Sequence, residues 1–203
     1  MSTTNEELYA EGYLEYLSKR SPIRKIVRLL YLYDIRKYCK SATVDFGCGA
    51  GELLKILPKG SVGYEINPYA VRYCNSQGLT AYLYDPGSDK YEFWMIEPNK
   101  FHSFTMNHVL EHLEEPAAVM NKIFEHCSRL GISRIVFTVP GTKGYTTDKT
   151  HLTFVDMDYL KKNGILQNKY YRLKLSKYFP LNMKSFSKVF THNELRLVFD
   201  KRE

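Results

Sequence analysis

A short apolar strand runs directly into an alternating glycine turn in the sequence TVDFGCGAGELL at positions 43–54. Gly47, Gly49 and Gly51 carry no Cβ atom, so a ligand can come close to the backbone, and they tolerate angles that other residues avoid. Backbone amides at the start of a following helix would face that ligand. The sequence therefore predicts a binding turn between a buried strand at 43–46 and a helix at 51–57.

The spacing of the glycines separates two classes of ligand. A dinucleotide-binding turn reads G-x-G-x-x-G, which needs a glycine at position 52, where this chain has Glu52. Here the run is D-x-G-x-G-x-G, which resembles motif I of the class I S-adenosylmethionine (SAM) dependent methyltransferases. The resemblance implies that Asp45, Gly47, Cys48 and Gly49 contact SAM, with the glycines against its methionine portion.

A second apolar strand, predicted at 62–66, ends in an acidic residue. Glu65 follows Gly47 by 18 residues, the spacing at which a nucleoside-binding α/β unit places a carboxylate beside ribose hydroxyls. We therefore expect Glu65, with Ile66 beside it, to bind the cofactor, although a solvated strand end would have the same sequence. Asp85 ends the third strand, where its side chain would either reach the adenine amine or form an Asp-Pro-Gly turn.

The segment FHSFTMNHVLEHLEEP at 101–116 resembles the region after the fourth strand of the same family, where an F-D-x-V strand runs into V-L-E-H. By this resemblance, Asn107 and His108 lie at the carboxyl end of the strand beside the methionine portion of SAM. The chain departs from the family at His102, where aspartate is usual. The departure leaves a SAM-binding protein without catalysis as an alternative.

The same segment spells H-x-x-E-H at 108–112, a helical spacing that puts two imidazoles on one face to bind zinc beside a carboxylate base. Such a site needs a long supporting helix, whereas this segment follows a strand and soon meets Pro116. We therefore expect no metal here and interpret Glu111 and His112 as structural residues.

Strand and helix signals alternate through most of the chain, which predicts a parallel sheet with helices on both faces. Strands are expected at 43–46, 62–66, 79–84, 103–106, 134–139, 170–176 and 194–201, and helices at 51–57, 68–77, 116–128 and 156–163. With the family resemblance, the expected fold is α/β: a Rossmann-like, seven-stranded, mostly parallel, doubly wound sheet whose seventh strand is antiparallel.

Residues 1–40 are expected to form a helical cap or lid before this SAM-binding core at 41–203, within one globular domain. The first of two predicted helices begins near Thr4 and the second at Pro22. The second helix is expected to place four apolar residues on one face, namely Ile23, Ile26, Val27 and Leu30.

Length and composition favour a single soluble domain. The chain has 203 residues, of which 44% are hydrophobic, enough for one sizeable core. It contains no run of about 18 apolar residues and no signal-peptide pattern, so we expect a cytoplasmic protein, monomeric or homodimeric. Its four cysteines form no C-x-x-C pair, which argues against a disulfide framework or a cysteine zinc site.

Candidates for proton removal from the methyl acceptor lie in the loop after the fifth strand, at 140–154, because open α/β sheets bind ligands at this edge. His151 is the first choice as general base. Its H-L-T-F context resembles the H-x-x-F element of ubiquinone-biosynthesis-type O-methyltransferases. His108 and Tyr145 are the other candidates for the base or for substrate contact. Alternatively, His151 holds its loop together through Asp148 or the backbone.

The net charge of +7 is uneven, because residues 161–203 carry 11 basic and 3 acidic side chains. We expect methyl transfer from SAM to oxygen, with nitrogen as the alternative, of a small anionic molecule of the phosphorylated or nucleotide-linked kind, leaving S-adenosylhomocysteine (SAH). An RNA methyltransferase that uses the basic C-terminal segment is the alternative. Against it, Arg172 and Lys174 alternate with leucines, as on the solvent face of a strand.

Overall fold

A seven-stranded sheet forms the centre of the molecule. The computed structural model describes the backbone from residue 22 to residue 203 and the side chains from residue 28 onward. The strands, in the spatial order β3-β2-β1-β4-β5-β7-β6, are β1 (Thr43–Phe46), β2 (Val62–Glu65), β3 (Ala81–Leu83), β4 (Ser103–Asn107), β5 (Arg134–Val139), β6 (Tyr171–Phe179) and β7 (Glu194–Lys201).

Six described helices flank the sheet: α1 (Pro22–Arg36), α2 (Pro68–Ser76), α3 (Pro86–Asp89), α4 (Pro116–Arg129), α5 (Thr142–Thr147) and α6 (Met157–Lys162). Four shorter 3₁₀ turns lie at Leu54–Ile56, Leu110–His112, Ile165–Gln167 and Lys184–Lys188. Among the described residues, none of the helices combines the length and the apolar character needed to cross a membrane.

Strands β1 to β5 pair in parallel, as the alternating strand and helix signals predict. β7 runs antiparallel between β5 and β6. The predicted Rossmann-like, mostly parallel fold with an antiparallel seventh strand is therefore confirmed. Because parallel strands all end at the same edge, the carboxyl ends of β1, β2 and β4 meet there, and this is where open α/β sheets bind ligands.

Apolar side chains fill both faces of the sheet. One face carries a large cluster in which Phe124 of α4 packs against Phe137 and Phe199. On the opposite face, Val136 and Val198 pack in a second cluster with α1 and the Leu54–Ile56 turn. The alternation of β5 and β7 residues between the two clusters follows from the two-residue period of a strand.

The buried face of α1 differs from the predicted one. Leu30 is 58% exposed, whereas Leu32 and Ile35 are buried against the sheet. The prediction that Leu30 lies on the packed face is therefore wrong, because both faces of this helix are apolar and composition alone cannot choose between them. The side chains of the other three residues of the predicted face, and the helix predicted from Thr4, lie outside the described residues.

The prediction of a helix at 51–57 is also wrong. After the glycine turn the chain makes irregular turns and one 3₁₀ turn at Leu54–Ile56, and it meets Pro58 soon afterwards. Leu53, Leu54 and Leu57 are all buried in the cluster with α1. Packing thus shapes this short segment more strongly than helical propensity does. The predictions for 43–46, 134–139 and 194–201 match the strands that form.

A buried ion pair fixes α1 to the sheet. Arg196 of β7 is fully buried, and its guanidinium contacts the buried Asp34 carboxylate of α1. Lys177 of β6 reaches the same carboxylate at 2.8 Å. Burial lowers the pKa of Arg196 to about 9, which shows how strongly the site resists an unpaired charge. The position of α1 over the sheet therefore depends on Asp34.

We predict that Asp34→Ala lowers the free energy of unfolding by about 3–5 kcal/mol, because Arg196 then loses its buried carboxylate partner. Arg196→Met, which removes the charge itself, should cost less, and adding it to Asp34→Ala should recover part of the loss. Urea unfolding of the three variants measures this. Lys37→Ala is the control, because Lys37 pairs with the same carboxylate from a half-exposed position and its loss should therefore cost little. Equal losses for Asp34→Ala and Arg196→Met would contradict the prediction.

Candidate active site

A cavity of about 590 Å³ opens at the carboxyl edge of the sheet. Its lining includes the glycine turn at 45–50, the end of β2 at 64–66 and residues 107–109 after β4. Three side chains of α1 form the opposite wall, namely Arg28, Leu32 and Ile35. The cavity therefore lies between the sheet edge and a helix that precedes the sheet in sequence.

The glycine turn forms the floor of this cavity, as its sequence predicts. Gly47 and Gly49 have φ values of +73° and +53°, in the left-handed region that favours glycine. A Cβ atom on Gly47 would also collide with the side chain of Val109. The amides of Gly47 and Cys48 donate to Tyr64 O at 2.8 and 3.2 Å, so the turn is attached to β2. Glycine at 47 is thus required by both backbone angle and space.

Glu65 lies at the end of β2 and lines the cavity. Its Oε2 accepts a hydrogen bond from Gly49 N at 2.8 Å, and its Oε1 accepts one from Asn67 N at 3.0 Å. The carboxylate is therefore fixed against the turn that the sequence places it beside. Each carboxylate oxygen can accept more than one hydrogen bond, so both retain capacity for a ligand. Ile66, which is 63% exposed, lies on the same wall.

Asp45 lies beneath the turn with only 2% of its surface exposed. Thr105 Oγ1 donates to its Oδ1 at 2.9 Å across the pairing of β1 with β4. Burial raises the pKa of Asp45 to about 7; the Thr105 hydrogen bond opposes this rise, and the negative charge of Glu65 adds to it. Asp45 is thus a buried acid at the cavity that ionises near neutral pH.

Asn107 ends β4 at the cavity, as the resemblance implies. Its amide slightly favours ionisation of Asp45, yet neither its Nδ2 nor its Oδ1 completes a hydrogen bond, and both atoms are buried. Buried polar atoms without partners are uncommon in folded proteins. The amide therefore offers one donor group and one acceptor to a molecule in the cavity.

His108 lies between two carboxylates. Its Nδ1 is 3.1 Å from Glu111 Oε1, and its Nε2 is 3.2 Å from Glu194 Oε1 on β7. Burial alone would lower the pKa of His108, but Glu194 and then Glu111 outweigh burial and raise it to about 10. The backbone at His108 has φ +55°, which is uncommon for a residue other than glycine. Both ring nitrogens are thus engaged.

His151 lies outside the lining of the cavity. Its Nδ1 is 2.9 Å from Tyr145 O, and its ring stacks on that of Tyr145 at 5.5 Å between centroids. Its Nε2 lies 4.0 Å from Glu111 Oε1 and 3.9 Å from Asp148 Oδ2. The contact of Nδ1 with Tyr145 O agrees with the alternative interpretation, in which His151 holds its loop together through the backbone. His112, rather than His151, lines the cavity and connects it with this loop.

Two further sequence candidates lie away from the cavity. Asp85 caps α3 and accepts hydrogen bonds from Gly87 N and Ser88 Oγ, as the turn interpretation requires, and it does not line the cavity. His102 precedes β4 at the opposite edge of the sheet and lines a second cavity of about 390 Å³. The departure from the family at position 102 therefore does not alter the wall of the first cavity.

Sequence reasoning missed several residues of the site. Glu194 begins β7 late in the chain, and no local pattern connects it with His108. Thr105 alternates with apolar residues inside β4, which hides its contact with Asp45. Arg28 of α1 pairs with Glu52 at 3.2 Å, which joins the helix to the segment after the glycine turn. Only the position of Thr105, two residues before the end of its strand, could have marked it as near the site.

Residues 12–201 match the methyltransferase-domain family. No curated protein sequence is significantly similar to the chain. Because the match covers most of the chain, the chain belongs to this family. With its class I sheet topology it is a SAM-dependent methyltransferase, and hence an enzyme that uses SAM as its methyl donor.

Solved methyltransferase structures share this fold. A SAM-dependent methyltransferase from Archaeoglobus fulgidus has 18% identity and a TM-score of 0.61, with 88% of this chain and 94% of that one aligned. Magnesium protoporphyrin IX methyltransferase from Synechocystis, with bound SAH, has 14% identity and a TM-score of 0.62, with 91% of this chain and 89% of that one aligned. A small RNA methyltransferase has 20% identity and a TM-score of 0.59, with 88% of this chain and 25% of that one aligned. Identities this low show likeness of fold alone.

We predict that stability depends on the ionisation of Asp45. In the unfolded chain its carboxyl has the ordinary pKa of 3.8, against about 7 in the fold. Its contribution to stability is therefore fully present below the lower value and lost as the pH rises through the higher one. Asp45→Asn cannot ionise, so its Tm relative to the wild type should rise between about pH 5 and about pH 8.

Thermal unfolding across this pH range measures the difference. Asp85→Asn is the matched control, because Asp85 is exposed and its pKa is lowered rather than raised. Its Tm difference from the wild type should stay constant above about pH 5. A constant difference for Asp45→Asn as well would contradict the assignment of a raised pKa to Asp45.

Proposed function

We propose that this enzyme transfers the methyl group of SAM to an oxygen of a small molecule bound in the 590 Å³ cavity. The observation that supports the proposal best is that Glu65, the glycine turn and the unpartnered Asn107 amide all line this one cavity. A volume of this size lies within the range of about 300–1,000 Å³ that is usual for small-molecule sites.

The residues present fit SAM in a definite direction. We place the ribose at Glu65, whose oxygens can accept hydrogen bonds from two hydroxyls. The methionine portion then lies over Gly47 and Gly49, where its polar ends can satisfy the two orphan atoms of Asn107. Asp45, Cys48 and His108 line the same region. SAM supplies an activated sulfonium methyl group, so the protein mainly has to position the acceptor.

The adenine is placed at the other end of the cavity, beside the exposed side chain of Ile66 and the rings of Tyr84 and Tyr91. Apolar and aromatic walls suit a planar base. Asp85 takes no part in this arrangement, because it caps α3 and does not line the cavity.

Oxygen is the acceptor atom favoured here, because a hydroxyl must lose a proton and ionisable side chains that can assist lie in and beside the cavity wall. His108 is unsuited to act as base, since both of its ring nitrogens face carboxylates. His151 stays our candidate for assisting deprotonation, together with its neighbour His112. Tyr145 stacks on His151 and is placed as its support.

An anionic acceptor stays a prediction, but the basic C-terminal segment does not supply the attraction at the cavity. Arg172, Lys201 and Arg202 line the second cavity at the opposite edge of the sheet. Of the basic side chains in the first cavity, Arg28 is already paired with Glu52 and His108 with two carboxylates. Positive charge for an anionic acceptor would have to come from another source.

RNA is the second candidate acceptor, and one observation favours it. Arg172 and Lys174 are exposed on the solvent face of β6 and add positive surface beside the basic second cavity. Such a surface binds a phosphate backbone in a salt-dependent manner. It lies at the sheet edge away from Glu65, however, so an RNA bound there would have to extend around the molecule to present a nucleotide to SAM.

We predict that SAH raises the Tm of the wild-type protein and that Glu65→Ala weakens SAH binding by about 10- to 100-fold, because the ribose loses a charged acceptor. Glu65 also supports Gly49, so a loss of affinity alone would not prove contact with the ribose. An SAH analogue without the 2′ and 3′ hydroxyls resolves this point. It should bind the wild type and Glu65→Ala equally weakly.

Isothermal titration of both ligands into both proteins gives the coupling, and Glu97→Ala, an exposed glutamate on another loop, is the control. If Glu65→Ala weakens the binding of SAH and of the analogue by the same factor, Glu65 acts only by supporting the glycine turn. Absence of any SAH binding by the wild type would overturn the proposed function.

We predict that labelled SAM transfers its methyl group to a component of the small-molecule fraction of a cell extract rather than to RNA. A cavity of small-molecule size favours the former, and the basic surface would favour the latter. Incubation with the separated fractions at low and high salt tests this. Label in the RNA fraction that falls steeply with salt would support the second candidate, and Glu65→Ala reports the background.

A further inference from the structure

Three potential metal ligands converge beside the cavity. Glu111 and His112 lie in the 3₁₀ turn after β4, and His151 lies in the loop after α5. One ligand atom from each of the three lies within 4.8 Å of the others. Among the residues that the structure describes, this is the one such group formed by histidine, cysteine or acidic side chains.

Backbone hydrogen bonds bring these two segments together. The amides of Leu152 and Thr153 both donate to Glu111 O, at 2.8 and 3.1 Å. This contact sets His151, which immediately precedes Leu152, against the turn that carries the other two side chains. The imidazole rings of His112 and His151 are 4.9 Å apart at an angle of 66°. The cluster is therefore held by the main chain and does not depend on the three side chains themselves.

Both histidines are oriented in the same way. Nδ1 of His151 lies 2.9 Å from Tyr145 O, and Nδ1 of His112 lies 3.3 Å from Thr150 O. When each Nδ1–H donates to its carbonyl, each Nε2 keeps a free lone pair. Metal-binding histidines commonly have this support, in which the second ring nitrogen donates to a backbone carbonyl. In that tautomer the Nε2 of each ring can bind a metal, and the exposed His112 ring keeps freedom to adjust its position.

Glu111 supplies an independent observation. Its side chain is 1% exposed, and its Oε1 pairs with His108, but its Oε2 is buried without any hydrogen-bond partner. A buried carboxylate oxygen without a donor is energetically unfavourable. Oε1 also lies 4.0 Å from His151 Nε2, so the carboxylate borders the cluster through one oxygen and keeps its other oxygen without a partner.

We propose that Glu111, His112 and His151 bind one divalent transition-metal ion of the Zn²⁺, Mn²⁺ or Fe²⁺ type. Two imidazoles and one carboxylate are a ligand set that such ions accept, with coordination positions left for water or substrate. Metal–nitrogen bonds of about 2.0–2.1 Å need the ligand atoms closer together than they lie here, by about 1 Å. His112 is exposed and can rotate to close this gap.

This site differs from the one that the H-x-x-E-H spelling suggests and revises the expectation that the chain has no metal site. The helical interpretation would use His108 and His112 as ligands, with Glu111 as the base. In the structure no long helix forms, and His108 faces Glu111 and Glu194 instead. The third ligand, His151, comes from a segment outside the motif.

The position of the site gives the metal a role in the proposed function, on which this step rests. His112 lines the cavity, so an ion bound to it would lie at the cavity wall, within reach of the acceptor. A hydroxyl bound to the metal loses its proton to water more readily. Its oxygen then forms the bond to the methyl carbon as the sulfur–methyl bond breaks, and the bond electrons stay on sulfur to give neutral SAH. The cation would also supply the positive charge that an anionic acceptor requires.

The test is metal binding itself, measured without SAM or acceptor. Full-length protein without an affinity tag is stripped with a chelator and titrated with Mn²⁺, followed by the paramagnetic resonance signal of the free ion, and with Zn²⁺ by competition with a colorimetric chelator. We expect one ion per chain, and about 100-fold weaker binding in His112→Ala and His151→Ala, since each loses one of three ligands. His192→Ala, an exposed histidine outside the cluster, should bind like the wild type.

The Tm of each metal-free variant is measured to show that it is folded, and SAH affinity is measured on the wild type, which separates this proposal from the proposed function. His112 is exposed, so His112→Gln provides a second variant that should fold if His151→Ala does not. Failure of the wild type to bind either ion stoichiometrically, or equal binding by the histidine variants, overturns the metal site while SAH binding stands. Loss of SAH binding by the wild type would instead sink the proposed function.

Discussion

The parallel pairing of β1 with β2 and β4 is the constraint on which the site depends. It brings the glycine turn, Glu65 and Asn107 to one edge of the sheet, although they are far apart in sequence. Side chains that hydrogen-bond across these strands, such as Thr105 to Asp45, are consequences of the same register. A slip of one residue would turn each of them to the other face. The shape of the cavity therefore depends first on the register of the strands and only then on the conformation of the loops.

The second constraint is the wall that closes this edge. α1 precedes the sheet in sequence, yet its Arg28 reaches Glu52 beside the glycine turn and its Asp34 reaches Arg196 of β7. These contacts tie both sides of the cavity to one helix. Because Glu194 stands two residues before Arg196 on the same strand, the ion pair that holds α1 also fixes the carboxylate that faces His108.

Much of this fold follows from local sequence, because buried strands and capped helices carry their own patterns. The bounds of β1, β5 and β7 and the parallel direction of the first five strands are of this kind, whereas the order of the strands followed only from the family resemblance. The packed face of α1 is not, since Leu30 and Leu32 are equally apolar and only the sheet decides which is buried. The same holds for the site. Glu65 could be predicted from its spacing after the glycine turn. The contacts of Glu194 on β7 with His108 and of His151 with Glu111 could not, because they form only when the chain has folded.

Charge links the cofactor to the course of the reaction. Four carboxyl groups line the cavity, on Asp45, Glu52, Glu65 and Glu194, against two cationic side chains, Arg28 and His108, whose pKa is raised to about 10. A sulfonium cation is attracted to such a wall, and the attraction is strong where water is excluded. On the proposed placement of SAM in this cavity, methyl transfer removes that positive charge from the sulfur, so we expect the same carboxylates to hold SAH less tightly than SAM. The acidic lining therefore favours both the binding of the donor and the release of its product.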